Sequence, residues 1–200
     1  VSCAVRYLHR HVRREGHDLL LSELLTTAPD TLRTERLCLR RFVPEDRARY
    51  VAIRSEPEVA ERLGHRVDEA AARTDWFLER SEWNWRERGL GPWAVTVADE
   101  VVGHAGFWYL ENFSATELMY GYTRRVWGRG FATEAGRAIV SLAFGTLGLD
   151  RLIALTAHSN LASRRVLEKL GFLPIREGEH RGFPVIVHEI TPPGRATGAP

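Results

Sequence analysis

The segment Trp127-Gly128-Arg129-Gly130-Phe131-Ala132-Thr133 leaves a strand-like pattern and enters residues 132–147, whose apolar positions recur at helical spacing. Two glycines at the mouth of a helix permit backbone conformations and close approaches that a side chain forbids. The helix mouth itself carries free N–H groups and a partial positive charge, which together favour an anion. The chain must therefore bring a strand end and a helix start together at a loop with an accessible backbone. No Gly-Lys-Ser/Thr follows, so the loop is not a nucleotide P-loop, and the third glycine of a dinucleotide fingerprint is missing. Taken alone, the loop reads either as a phosphate cradle or as a tight strand-to-helix turn.

The surrounding pattern is that of a mixed sheet. Residues 36–42 alternate Leu37, Leu39 and Arg41 against their neighbours, as a strand does. Pro44 sits where a helix can begin, with Glu45 and Asp46 in a favourable first turn. That helix is expected to end near residues 55–57. A longer helix over about 68–88 stops at Gly89, a natural C-terminal cap. Strands are expected over 93–97 and 101–110, joined by a tight turn at 98–100, then over 117–123, 151–157, 172–176 and 185–191. A further helix is expected over 161–170. The order β-α-α-β-β-β-α-β-α-β-β implies an α/β (α+β) fold with helices on both faces of a mixed sheet.

Composition narrows the classes of function. A chain of 200 residues with 44% hydrophobic and 27% charged side chains suits one domain with an ordinary core. A net charge of +2, without a basic stripe interleaved with aromatics, argues against nucleic acid as a partner. Among the 28 basic residues only Lys169 is a lysine, which fits GC-rich coding DNA as well as any selection for phosphate binding. Cys3 and Cys38 form no metal or redox spacing, so a reducing cytoplasm is the expected setting. His104, His158 and His188 show no metal spacing either, and no metal is expected. No apolar run approaches the roughly 18 residues of a membrane span. Residues 1–30 stand apart, with Arg6, Arg10, Arg13 and Arg14 before the first acid, Glu15. Such starts occur in targeting peptides; a poorly ordered extension is the expectation carried forward. Thr26-Thr27-Ala28-Pro29-Asp30 reads as a linker into a domain over 31–191, with a tail over 192–200.

After the next strand comes Asn160-Leu-Ala-Ser163-Arg164-Arg165-Val-Leu167-Glu-Lys-Leu-Gly171-Phe172, a capped helix that returns to the sheet. Together with the glycine loop and Glu117, this segment resembles the GNAT acetyltransferase superfamily, and most of all the branch of the ribosomal-protein N-acetyltransferases RimJ and RimL. The family's loop reads Gln/Arg-x-x-Gly-x-Gly/Ala. Here Trp127 stands at its first position, a replacement common in that branch. The resemblance covers about 31–191. It implies a mostly antiparallel sheet of about six to seven strands, splayed at its centre, that takes acetyl-CoA as cosubstrate. It further implies that backbone N–H groups from Gly128 through Arg129, Gly130, Phe131 and Ala132 to Thr133 hold the pyrophosphate. The pantetheine arm would pair with Tyr120 and Tyr122 between the splayed strands. Asn160 and Arg164, with Arg129 or Arg165, would border the coenzyme, although each arginine also reads as a solvated surface residue.

Acetyl transfer to an amine needs a proton acceptor, stabilisation of the developing oxyanion, and a proton or hydrogen bond for the departing thiolate. Glu117, ten residues before Trp127, stands where the resemblance implies a general base. Its plainer reading is a cleft-lining carboxylate or an arginine partner. The oxyanion donor would be a main-chain N–H near Tyr120. Many superfamily members carry a general-acid Tyr where this chain has Leu167, so Ser163 is the candidate for the thiol side; otherwise it is a helix-surface serine. Direct transfer in a ternary complex is favoured over an acyl-cysteine. Trp76, Trp83 and Trp85 read as packing on the helix that would flank the acceptor cleft. The acceptor is either a protein α-amine or a small-molecule amine, and the chain is expected to be a monomer or homodimer. A non-catalytic acyl-CoA-binding regulator is the competing class; the presence of Glu117 argues against it.

Overall fold

The computed structural model describes residues 27–194. Eight strands form one sheet in the order β1-β2-β3-β4-β5-β6-β8-β7. They are β1 (Thr31–Arg33), β2 (Cys38–Arg40), β3 (Pro92–Val97), β4 (Glu100–Leu110), β5 (Ala115–Tyr122), β6 (Leu152–Thr156), β7 (Leu173–His180) and β8 (Phe183–Ile190). Five α-helices accompany them: α1 (Asp46–Arg54), α2 (Pro57–Arg62), α3 (Ala70–Arg88), α4 (Phe131–Gly145) and α5 (Leu161–Leu170). All pairings are antiparallel except β5 with β6, which is parallel and registers at a single pair, Glu117 opposite Ile153. Beyond that pair the two strands part. The implied central splay is thus present.

Two elements go beyond the sequence expectation. Strand β1 pairs with β2, so the sheet has eight strands. Helix α2 follows α1 directly, because Pro57 occupies the start of a new helix as well as ending the region of the first. The folded unit also begins before Thr31. Ala28 is buried, its N–H donates to the Gly89 carbonyl at 2.8 Å, and Trp93 Nε1 donates to the Pro29 carbonyl at 3.1 Å. Cys3 and residues 1–26 lie outside the described residues.

Strand alternation sends side chains to opposite faces and so builds two cores. Trp93, Val95, Phe107, Leu118 and Ala154 pack with Phe131, Ile139 and Leu167 of α4 and α5. Ala94, Val101, Trp108 and Ile153 pack with Tyr50, Ile53 and Phe77 of α1 and α3. Along β5 this places Leu118, Tyr120 and Tyr122 toward α4 and α5, with Glu117 and Met119 toward the other face.

Asp46 anchors the first helix. Its carboxylate accepts two hydrogen bonds from the Arg40 guanidinium, at 2.7 and 2.8 Å, and one from the Val43 N–H at 2.9 Å. Burial alone would raise its pKa, but the Arg40 and Val43 hydrogen bonds hold it below the ordinary value. Asp46→Asn, which leaves a largely buried site without its charge, is expected to cost about 2 kcal/mol in urea unfolding at neutral pH. Because the folded-state pKa is depressed, that contribution is present above the unfolded carboxyl value and disappears as pH falls through the folded one. The gap between parent and variant should therefore close in acid.

Candidate functional site

The glycine loop has the conformation its sequence suggests. Gly128 and Gly130 have φ values of 76° and 81°, in the left-handed region. No side chain caps α4, so the N–H groups of its first turn stay available. A Cβ on Gly128 would meet nothing within 4 Å, and one on Gly130 only Arg36 Nη2 at 3.5 Å. The space over the loop is open. Glu134 fixes the loop from behind. Its carboxylate accepts from the Thr34 hydroxyl at 2.6 Å, the Arg36 N–H at 2.9 Å and the Arg36 Nε at 2.6 Å, while Arg36 Nη1 donates to the Arg129 carbonyl at 3.0 Å.

This loop floors a cavity of about 360 Å³ between β5, α4 and α5. Tyr120, Tyr122, Trp127, Gly128, Gly130, Phe131, Ala132, Thr133, Asn160 and Ser163 line it. Arg129 and Arg164 do not. The cations of α5 that face the cavity are Arg165 and Lys169, one turn apart on its surface. Cradle glycines, uncapped helix and nearby cations fit a ligand with phosphates and a narrow arm.

A second cavity, of about 420 Å³, adjoins the first. The two share Arg62, Leu63, Tyr120, Asn160 and Ser163, so they meet where β5 and β6 part. Glu117 lies in the second cavity with His104, Arg73, His180 and Arg181. Burial raises the Glu117 carboxyl to about 7, against the opposing pull of the Leu155 N–H and the Arg181 charge. A carboxyl poised near neutrality is suited to taking up a proton and releasing it.

Ser163 sits in the first turn of α5, which Asn160 caps by accepting the Ser163 N–H at 3.2 Å. Tyr120 Oη lies 2.7 Å from Ser163 Oγ. The family resemblance implies a main-chain role for Tyr120; its phenol also reaches the serine hydroxyl, whereas Leu167 is buried in the core. Burial raises the Tyr120 phenol to about 12, so it remains protonated and able to donate. Trp127 donates its indole N–H to the Tyr122 carbonyl at 2.8 Å. Arg62, for which the sequence carries no signal, lies 4.7 Å over the Trp127 ring and donates to Asn160 Oδ1 at 2.6 Å. Glu56 ties the start of α2 to the same loop by accepting from the Thr123 hydroxyl and the Arg124 N–H. Trp85 is core, whereas Trp76 is exposed, with the Arg181 guanidinium over its ring. Among the described residues no group of three or more His, Cys, Asp or Glu could hold a metal ion, and no helix is long and apolar enough to cross a membrane.

An anion cradle, a slot between parting strands and a carboxyl beyond it suit group transfer between a phosphate-bearing ligand and a second substrate. The sequence profile of the acetyltransferase (GNAT) domain matches residues 36–173. The chain therefore belongs to the GNAT acetyltransferase family, and it is an N-acetyltransferase of a family that uses acetyl-CoA. It is 31% identical over 144 residues to the uncharacterized N-acetyltransferase YoaA of Bacillus subtilis, across 70% of this chain and 81% of that one. It is 30% identical over 159 residues to the FsC-acetyl coenzyme A-N(2)-transacetylase of Aspergillus fumigatus, across 72% of this chain and 65% of that one. The crystal structure of an acetyltransferase from Agrobacterium tumefaciens superposes with a TM-score of 0.73 at 26% identity, covering 88% of this chain and 100% of that one.

Proposed function

We propose that the chain transfers the acetyl group of acetyl-CoA to a primary amine by direct attack in a ternary complex. The observation that carries this is the junction of the two cavities. The glycine cradle opens into one, Glu117 faces the other, and Tyr120 and Ser163 stand between. The first-turn N–H groups of α4 hold the pyrophosphate, with Arg165 and Lys169 beside it. Glu117 takes the ammonium proton, directly or through water. A main-chain N–H near Tyr120 donates to the carbonyl oxygen as negative charge develops on it. The Ser163 hydroxyl, relayed by the Tyr120 phenol, donates to the departing thiolate. The setting is the cytoplasm, in keeping with a Cys38 that has no disulfide partner among the described residues.

The RimJ/RimL-like features, Trp127 at the loop and Leu167 with Ser163 on α5, support a protein α-amine as acceptor. A bounded second cavity favours a small-molecule amine instead, since the β7–β8 turn reaches across to α3, where Arg181 lies 5.0 Å over the Trp76 ring. The Aspergillus relative, whose name specifies acetyl coenzyme A and an N(2) position, is in line with the second reading.

Initial rates at several concentrations of acetyl-CoA and of an accepted amine test the ternary complex. Intersecting reciprocal plots are expected; parallel lines, the mark of an acyl-enzyme, would overturn it. Ser163→Ala is expected to slow turnover roughly tenfold, below the 10²–10⁴ of a fully positioned acid or base, with the acetyl-CoA KM nearly intact. Unchanged turnover would remove Ser163 from the chemistry.

A further inference from the structure

The hairpin between β7 and β8 turns through Arg181 and Gly182, at φ 53° and 81°. Both positions are left-handed, the geometry that ordinarily selects Asn-Gly, because only short or absent side chains adopt it without strain. An arginine there is held against the local preference, and such outliers cluster at functional sites. This one lines the Glu117 cavity. Among the described residues no carboxylate lies within ion-pair distance of Arg181, whose guanidinium stands 5.0 Å over the Trp76 ring.

Two more guanidiniums stand nearby. Arg73 of α3 lines the same cavity and, among the described residues, has a single long ion-pair contact, to Glu69 at 3.7 Å. Arg54 of α1 is 7% exposed, has no carboxylate partner among the described residues, and leaves its Nε unpaired. Burial and the Arg73 and Arg54 charges lower the pKa of Arg181, and Glu117 opposes them only in part. The cavity floor adds a neutral imidazole. Tyr50 Oη accepts from Arg54 Nη1 at 3.4 Å and lies 2.8 Å from His104 Nδ1. His104 Nε2 is buried with no hydrogen-bond partner among the described residues. Burial first, and the Arg54 charge second, lower the His104 pKa to about 3, so the ring stays neutral. Against these donors the cavity sets two carboxylates, Glu117 inside and the exposed Glu61.

We infer that the acceptor is a small primary amine bearing a carboxylate, of the amino-acid class, with its ammonium at Glu117 and its carboxylate held by Arg181 and Arg73. A carboxylate matches the guanidinium fork and relieves the repulsion among the arginines. A polycationic amine meets like charge, and the α-amine of a peptide lacks a carboxylate beside it. The inference rests on the acetyl-transfer reading above.

The test measures thiol release from acetyl-CoA with free L-amino acids, their amides, the matching decarboxylated amines and short peptides. The parent is expected to favour a free amino acid over its amide by roughly 10- to 100-fold in kcat/KM, the worth of one charge-assisted contact. Arg181→Gln should collapse that preference toward unity, chiefly through KM, and Arg181→Lys should restore part of it. Amides, simple amines or peptides used as well as or better than the amino acids would overturn the inference and leave acetyl transfer standing. So would an amino-acid preference that survives in Arg181→Gln while circular dichroism shows the fold intact. No thiol release with any amine, by a protein that binds acetyl-CoA, would overturn the acetyl-transfer reading and this inference with it.

Discussion

Glu117→Gln is expected to bind acetyl-CoA as the parent does and to lose roughly 10²–10⁴ in turnover near neutral pH, the worth of a positioned base. The pH profile distinguishes this loss from a structural one. In the parent, kcat/KM should fall about tenfold per unit as pH drops below about 7, where burial places the Glu117 pKa. The variant lacks that inflection, and part of its rate should return at high pH, where the amine is already neutral. Stability should move the opposite way. A carboxyl whose folded pKa is raised burdens the folded state once pH exceeds the unfolded value, fully so above the folded one. The glutamine variant should therefore be more stable than the parent at pH 8, with the difference vanishing below the ordinary carboxyl pKa. Full activity across the profile would show that Glu117 is not the base.

Gly130→Val should fail in the other half of the site. The residue has φ 81°, so a branched side chain is strained there and would disturb the loop backbone whose N–H groups form the cradle. Calorimetry should show acetyl-CoA affinity reduced roughly 100-fold, as expected for losing charge-assisted N–H contacts. Gly148→Val is the matched control, because Gly148 has φ 62° and open space around it but lies beyond the end of α4, outside the cavity lining. It should share the backbone strain and keep the coenzyme. Equal affinity in both valine variants would mean that the loop does not hold the pyrophosphate.

Features set by local chemistry were legible in the sequence. The glycine loop, the Asn160 cap and the Gly89 stop each depend on neighbours within a turn, and all three take the expected form. Helix α2 is hidden in the sequence because Pro57 both ends the region of α1 and starts a helix of only six residues. Strand β1 has three residues, too few for alternation to register, and its pairing with β2 provides the signal a sequence lacks. In the site, Glu117 and Ser163 are singled out by the family resemblance, not by local chemistry. The Tyr120–Ser163 contact joins residues 43 positions apart, and the Arg62–Asn160 bond joins residues 98 apart. No periodicity reports such pairs. Arg164 and Arg165 looked equivalent as sequence, and only the phase of α5 against the sheet turns Arg165 and Lys169, not Arg164, toward the cavity.

The central claim is that acetyl groups leave acetyl-CoA for an amine held at Glu117. Its most direct test counts products by mass spectrometry after the purified chain is incubated with acetyl-CoA and the amine panel. One acetylated amine should appear for each thiol released, with release depending on the amine and falling with Glu117→Gln. Thiol release without an acetylated amine, or acetyl-CoA binding without amine-dependent release, would contradict the account.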